Sequence, residues 1–240
     1  MIKKPVKKIK LDKELPNEII KIANADKKFH ETWEEGRNIC DIPHPFRMAC
    51  LGQVGKGKSI LCKNVFLRCQ SGNHPFDELI IIHGSKDTKE YDELDPTMIV
   101  TEIPDPDDLT TNDVKTLIII DDFEMTKLSK ESLRNLSSLF RFVSSHHNIS
   151  IMICYQSFFD VVPIVRKCIN VYVLYRPTNN DELACIARRV GMKKEEIFDI
   201  FDELMTKPRD TLMIDLTENS PCRLRKNLFT PITEKQETDE

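Results

Sequence analysis

Apolar residues in this chain come in short runs separated by polar and proline-containing stretches. From about Pro45 onward, seven runs read as strands: "FRMACL" (46–51), "ELIIIH" (78–83), "TMIVTEI" (97–103), "KTLIIID" (115–121), "SIMICY" (150–155), "NVYVLYR" (170–176) and "DTLMIDL" (210–216). Each is six or seven residues long and rich in β-branched and aromatic types, as a strand buried in a sheet requires. Between them, apolar positions spaced three and four apart predict helices over 57–70, 129–144, 160–168, 179–190 and 193–205. Strands alternating with helices predict an α/β domain with a mainly parallel sheet flanked by helices. That domain is expected over 37–230. Before it, 1–36 forms a basic arm with room for one helix in 17–36, and 231–240 is a polar tail expected to be disordered.

The turn between the first strand and the first helix carries the chemistry. "GQVGKGKS", Gly52-Gln53-Val54-Gly55-Lys56-Gly57-Lys58-Ser59, fits G-x-x-x-x-G-K-[ST], and Ile60 continues it into the helix. Glycines let such a loop fold back with its N–H groups facing inward as an anion-binding nest. The following helix points the positive end of its dipole at the same place. Lys58 is expected to reach the β- and γ-phosphates of a nucleotide, and the Ser59 hydroxyl to ligate Mg²⁺. A bare Gly/Lys surface turn would not need a buried strand before it and an apolar helix after it.

"KTLIIIDD" places Asp121 and Asp122 at the carboxyl end of an apolar strand, the edge where open α/β sheets bind ligands. Asp121 fits a Mg²⁺-holding carboxylate and Asp122 the neighbour that polarises an attacking water. "SIMICYQ" ends another strand in Gln156, whose amide both donates and accepts hydrogen bonds. No N-K-x-D guanine-reading motif occurs. Adjacent carboxylates and two further strand-like runs between the loop and Asp121 favour an ATP hydrolase of the additional-strand type. A nucleotide or small-molecule kinase, and a non-hydrolysing nucleotide-binding scaffold, remain the alternatives.

Composition narrows the setting. The chain has 240 residues, 40% hydrophobic and 31% charged, with a net charge of −4, so no global positive charge argues for nucleic acid. No apolar run approaches the roughly 18 residues of a membrane span, and the lysine-rich start lacks the apolar core of a secretory signal. Eight cysteines show no C-x-x-C pair. Several fall in apolar elements, where a free thiol packs as a small hydrophobe, and this suits a reducing compartment. His146-His147 has no ligand-spaced partner and is expected to pack or to contact a neighbouring subunit. The cations of "RKCINVYVLYR" (166–176) and "RLRKN" (223–227) read equally as solvated surface or as phosphate contacts with DNA.

The order P-loop, "LIIIDDFE", helix, then "SSHHNISIMICYQSFFDVVPIVRKCINVYVLYRPTNNDELACIA" resembles the FtsK–HerA superfamily of DNA-pumping ATPases. It looks most like the genome-packaging ATPases of large eukaryotic DNA viruses and virophages, over about His44 to Arg189. The resemblance implies ATP and Mg²⁺ as cofactors, double-stranded DNA as partner, a homo-oligomeric ring, and capsid or portal-vertex proteins beside it. It places such a protein in the host cytoplasm or a viral factory, or with the virion. Gln156 is then a γ-phosphate sensor on the strand between the P-loop and Asp121 strands. Many relatives carry an arginine finger just before the histidine block, where this chain has Ser145; Arg141, Arg134 or Arg166 are the substitutes.

Overall fold

The computed structural model describes residues 37–109, 114–177, 179–218 and 220–232. The lysine-rich arm, the helix expected within 17–36 and the tail from 233 lie outside them. Nine strands form one sheet: β1 (Arg47–Leu51), β2 (Glu78–His83), β3 (Met98–Val100), β4 (Thr116–Asp121), β5 (Ile149–Tyr155), β6 (Val171–Tyr175), β7 (Thr211–Asp215), β8 (Leu224–Lys226) and β9 (Thr230–Pro231). Their order is β3-β2-β4-β5-β1-β6-β7-β8-β9. From β3 to β6 all neighbours are parallel; β7, β8 and β9 add antiparallel. The helices are α1 (Lys58–Gln70), α2 (Lys130–Ser138), α3 (Pro163–Cys168), α4 (Asn180–Val190) and α5 (Lys194–Glu203).

Side chains alternate across the sheet, and the alternation builds two cores. On β4, Ile118 and Ile120 enter one cluster with α2, α4 and α5, while Leu117 and Ile119 enter the other with α1. Both faces of the central strands are covered, which is why they read as continuous apolar runs. In register, Leu51 lies beside Tyr155 and Leu174, and Asp121 beside Cys154 and His83. The carboxyl ends of β1, β2, β4, β5 and β6 therefore share one edge.

Three elements differ from the sequence expectation. The run 97–103 pairs only over Met98–Val100, because β3 is an edge strand with a single neighbour and Pro104 follows soon after. The helix expected over 129–144 starts behind Ser129, whose side chain accepts from the Ser132 N–H. It then widens into a π turn at Leu139–Val143 and closes with an α turn, Ser144–His146. Finally, "RLRKN" contributes the strand β8, with Arg225 turned inward while Arg223 and Asn227 stay exposed. Arg225 is only 2% exposed; it pairs with Asp215 at 3.2 Å and donates to the Cys40 and Asp41 carbonyls. Arg223 donates to the Val190 carbonyl, and Lys226 pairs with Asp210 at 2.9 Å. A cation this buried persists only when paired and hydrogen-bonded, so these charges hold the sheet's last strands together. In the other cationic run, Arg176 likewise pairs with Asp202, and Arg166 lies over the Phe158 ring.

His44 gives the fold a pH limit. It is buried, with Nδ1 3.0 Å from Ser150 Oγ, and its Nε2 has no hydrogen-bond partner among the described residues. Burial, followed by repulsion from Lys115, lowers its pKa from 6.5 to about 4. The unfolded chain therefore takes up the proton first as pH falls. Stability is full above about pH 6.5 and declines toward pH 4, by on the order of 3 kcal/mol from this group. Urea unfolding at pH 7 and pH 5 should show the loss, and His44→Asn should flatten it; an unchanged pH slope in that variant would assign the loss to other groups.

Candidate nucleotide-binding site

Residues 52–57 link β1 to α1 and end in a left-handed turn. Gly57 caps α1 at φ 100°, a region that L side chains resist. The turn aims the first N–H groups of α1 out over the sheet edge, with no side-chain cap competing for them. Lys58 Nζ donates to the Gly52 carbonyl at 2.8 Å and to that of Gln53 at 3.2 Å, so the ammonium lies over the loop. Tyr175, at the end of β6, donates its hydroxyl to the Gly57 carbonyl at 3.1 Å and braces the loop from the other side.

Asp121 is buried at the tip of β4, and both its oxygens are engaged. Oδ2 accepts from Ser59 Oγ at 2.7 Å and from the Tyr91 hydroxyl at 2.5 Å, while Oδ1 accepts from the Asp122 N–H at 3.0 Å. The Ser59 hydroxyl and the Asp121 carboxylate are thus two hard oxygen donors side by side at the cavity wall. That donor set fits Mg²⁺. Tyr91 is fully buried in a loop that reads "KEYDEL", and its pKa is raised, first by burial, so it stays a neutral donor. Spacing along the chain gives no sign of this role.

Asp122 points the other way, into the open. Its φ of 46° lies in the left-handed region, and the backbone there is supported from β2: a Cβ on Gly84 would sit 2.7 Å from the Asp122 carbonyl oxygen. Next to that glycine, His83 Nδ1 meets the Ser85 backbone, 3.0 Å from its nitrogen and 3.1 Å from its carbonyl oxygen, and its Nε2 faces the Asp122 carboxylate at 3.8 Å. His83, Glu90 and Asp122 offer ligand atoms within 4.8 Å of one another. None of the three contacts could be read from the strand "ELIIIH" alone.

Lys58, Ser59, Asp121, Asp122 and Gln156 line one cavity of about 290 Å³ with Val54, Gly55, Gly57 and Ile60, and Glu90 and Arg209 complete its wall. The structure therefore joins the predicted phosphate, metal and sensor residues at a single place. Gln156 sits at the end of β5, and β5 lies between β1 and β4. A further cavity of about 330 Å³ continues past Lys58, Asp122 and Gln156 to Met125 and Asp160. Among the described residues, the cavities around the loop are lined by neither Arg141 nor Arg166. Arg141 is exposed on the π turn. Arg166 is stacked 5.0 Å from the Phe158 centroid. Ser145 is held by Arg47, whose Nη1 donates to it at 2.8 Å. His146 packs on Phe142, with ring centroids 4.3 Å apart.

Beneath the loop, Cys50, Cys62 and Cys154 meet from β1, α1 and β5, with Sγ atoms 3.2 Å apart between Cys62 and Cys154 and 3.8 Å between Cys62 and Cys50. Hydrogen bonding to Cys50 and Cys62, with burial added, raises the Cys154 thiol well above its ordinary range. All eight cysteines are free. The trio packs α1 onto the sheet as small apolar groups do.

A phosphate loop after β1, paired carboxylates ending β4 and one strand inserted between them define a P-loop NTPase of the additional-strand type. No family model matches the chain, and no curated protein matches it. Among solved structures it is similar to the DNA-packaging ATPase B204 of Sulfolobus turreted icosahedral virus, with a TM-score of 0.56 at 19% identity, over 79% of this chain and 100% of that one. The genome-packaging NTPase B204 of Sulfolobus turreted icosahedral virus 2, in complex with AMPPCP, gives 0.56 at 17%, over 79% and 99%. The cytoplasmic domain of the type VII secretion ATPase EccC of Thermomonospora curvata gives 0.51 at 11%, over 81% of this chain and 26% of that one. The likeness is one of fold, a P-loop ATPase sheet shared at low sequence identity. No helix among the described residues is long and apolar enough to cross a membrane.

Proposed function

We propose that this chain hydrolyses ATP to drive double-stranded DNA into a viral capsid, as a homo-oligomeric ring held against capsid or portal-vertex proteins in the host cytoplasm or a viral factory. The observation that carries the reading is the convergence of Lys58, Ser59, Asp121, Asp122 and Gln156 on one cavity at the carboxyl edge of the sheet. The likeness of fold to two viral packaging enzymes supports it. In this reading the α1 N–H groups and Lys58 hold the phosphates, and Asp122, oriented by His83, takes the proton of the attacking water. A magnesium ion held by Ser59 and Asp121 would supply charge neutralisation on the β- and γ-phosphates. Arg141 and Arg166 lie away from this chain's own loop, so an arginine finger drawn from either one would serve a neighbouring subunit.

Gln156 links the site to motion. Directly after it, Ser157 and Asp160 cap a 3₁₀ turn reciprocally, and the Phe158 N–H donates to Glu182 on α4. Arg166 on α3 rests on Phe158, so displacement of the β5 tip is passed to two helices. Gln156→Ala is expected to keep ATP binding while losing the stimulation of hydrolysis by double-stranded DNA. The measurement is the ATPase rate with and without duplex DNA, beside a triplex-displacement assay. A wild-type enzyme whose turnover ignores duplex DNA would refute the translocase reading; a Gln156→Ala variant that still translocates would remove the coupling role.

A further inference from the structure

A second groove adjoins the phosphate cavity on the side away from Asp121. Its volume is about 240 Å³, and it runs between α1 and the turn joining β8 to β9. Gly57, Ile60 and Arg209 belong to the walls of both cavities, so the two are continuous. Two large apolar side chains stand open here: Ile60 on α1, 55% exposed, and Phe229 in the turn, 44% exposed. Facing one groove, the two give it an apolar wall beside the phosphate cavity. The Phe229 ring is fixed in place, because the Arg68 guanidinium lies over it, 4.6 Å from the centroid. The turn that presents it is also fixed. Asn227 and Leu228 both adopt positive φ, 52° and 70°, a costly conformation for leucine. It is maintained by burial of the Leu228 side chain and by Asn227 Oδ1 accepting the Thr211 N–H at 2.9 Å.

We propose that this groove takes the nucleoside of the nucleotide whose phosphates occupy the P-loop, with the base seated against Phe229. The inference rests on the nucleotide-binding reading above, and it adds to the site a wall 170 residues away from the loop in sequence. Charge favours this occupant. Lys56, Arg68 and Arg209 line the groove and, among the described residues, no carboxylate does, which suits the anionic chain entering past Arg209. The apolar faces suit a flat ring, and every base has such a face. Recognition by stacking predicts that purine nucleotides are accepted alike.

The test measures the binding of ATP, GTP and inorganic tripolyphosphate to the full chain by calorimetry. Phe229 is half exposed, so Phe229→Ala should fold, and a matching melting temperature would verify it. Stacking on an aromatic side chain contributes enough to predict an ATP and GTP affinity lower by roughly tenfold or more in Phe229→Ala. Tripolyphosphate binding should be unchanged, and Phe229→Tyr should bind ATP as the wild type does. Wild-type ATP affinity in Phe229→Ala would overturn the proposal while leaving the P-loop reading standing. Equal weakening of ATP and tripolyphosphate would also overturn it, since the ring would then be acting on the phosphate loop. A wild-type chain that binds neither ATP nor tripolyphosphate would refute the P-loop reading itself.

Discussion

Lys58→Ala is expected to lower ATP turnover by at least about 100-fold, on the scale set by removing one preorganised donor from a developing negative charge. The ammonium is held over the loop by the Gly52 and Gln53 carbonyls, poised between two cavities. Among the described residues, no other lysine lines either cavity. The side chain leaves Cα of the first residue of α1 and reaches back over the loop, so its removal leaves no hole in either core. A steady-state ATPase assay beside a melting curve separates loss of chemistry from loss of fold. Turnover near that of the wild type would refute the phosphate role of the loop.

Substitutions at the adjacent carboxylates should have different consequences. Asp122→Asn is expected to lower kcat by about 10²- to 10⁴-fold, the usual contribution of a general base, with ATP binding retained. Asparagine keeps the volume and tolerates the left-handed backbone that residue 122 adopts, so the change is confined to the loss of a proton acceptor. Asp121→Asn removes the charge that receives both Ser59 and Tyr91, and should weaken Mg²⁺-dependent nucleotide binding instead. Equilibrium binding of a non-hydrolysable ATP analogue, with and without Mg²⁺, distinguishes the two. If both variants lose binding to the same degree, the division of roles between Asp121 and Asp122 is wrong.

How much of this was legible along the chain depended on the range of the interaction. The loop 52–59, the carboxylates after "LIII" and the amide after "SIMICY" were readable because each is a local event. A strand carries a residue to its end, and a loop or polar tip follows within a few positions. Placing β5 between β1 and β4 needed the family resemblance as well, and the sheet order agrees with it. Local pattern and tertiary use diverge in one cationic run. "RLRK" has no apolar alternation, yet it forms β8, because Arg225 turns inward to Asp215, ten residues earlier, and to carbonyls near residue 40. Cation runs look like surface until a buried carboxylate is found for them.

Sequence alone determined the chemistry on offer: a phosphate loop, two carboxylates, one sensor amide, and the parallel α/β sheet that gathers them at one edge. These are properties of short segments, where residue type and spacing suffice. Only the tertiary structure decided which side chains serve those groups. Tyr91 reaches Asp121 across 30 residues, Gly84 and His83 support Asp122 from the neighbouring strand, and Tyr175 braces Gly57 from 118 residues away. Phe229 and Ile60 come to share a groove only because β8 and β9 extend the sheet past β7. Such contacts are set by strand order and by the packing of α1 on the sheet, and a one-dimensional pattern holds no record of either.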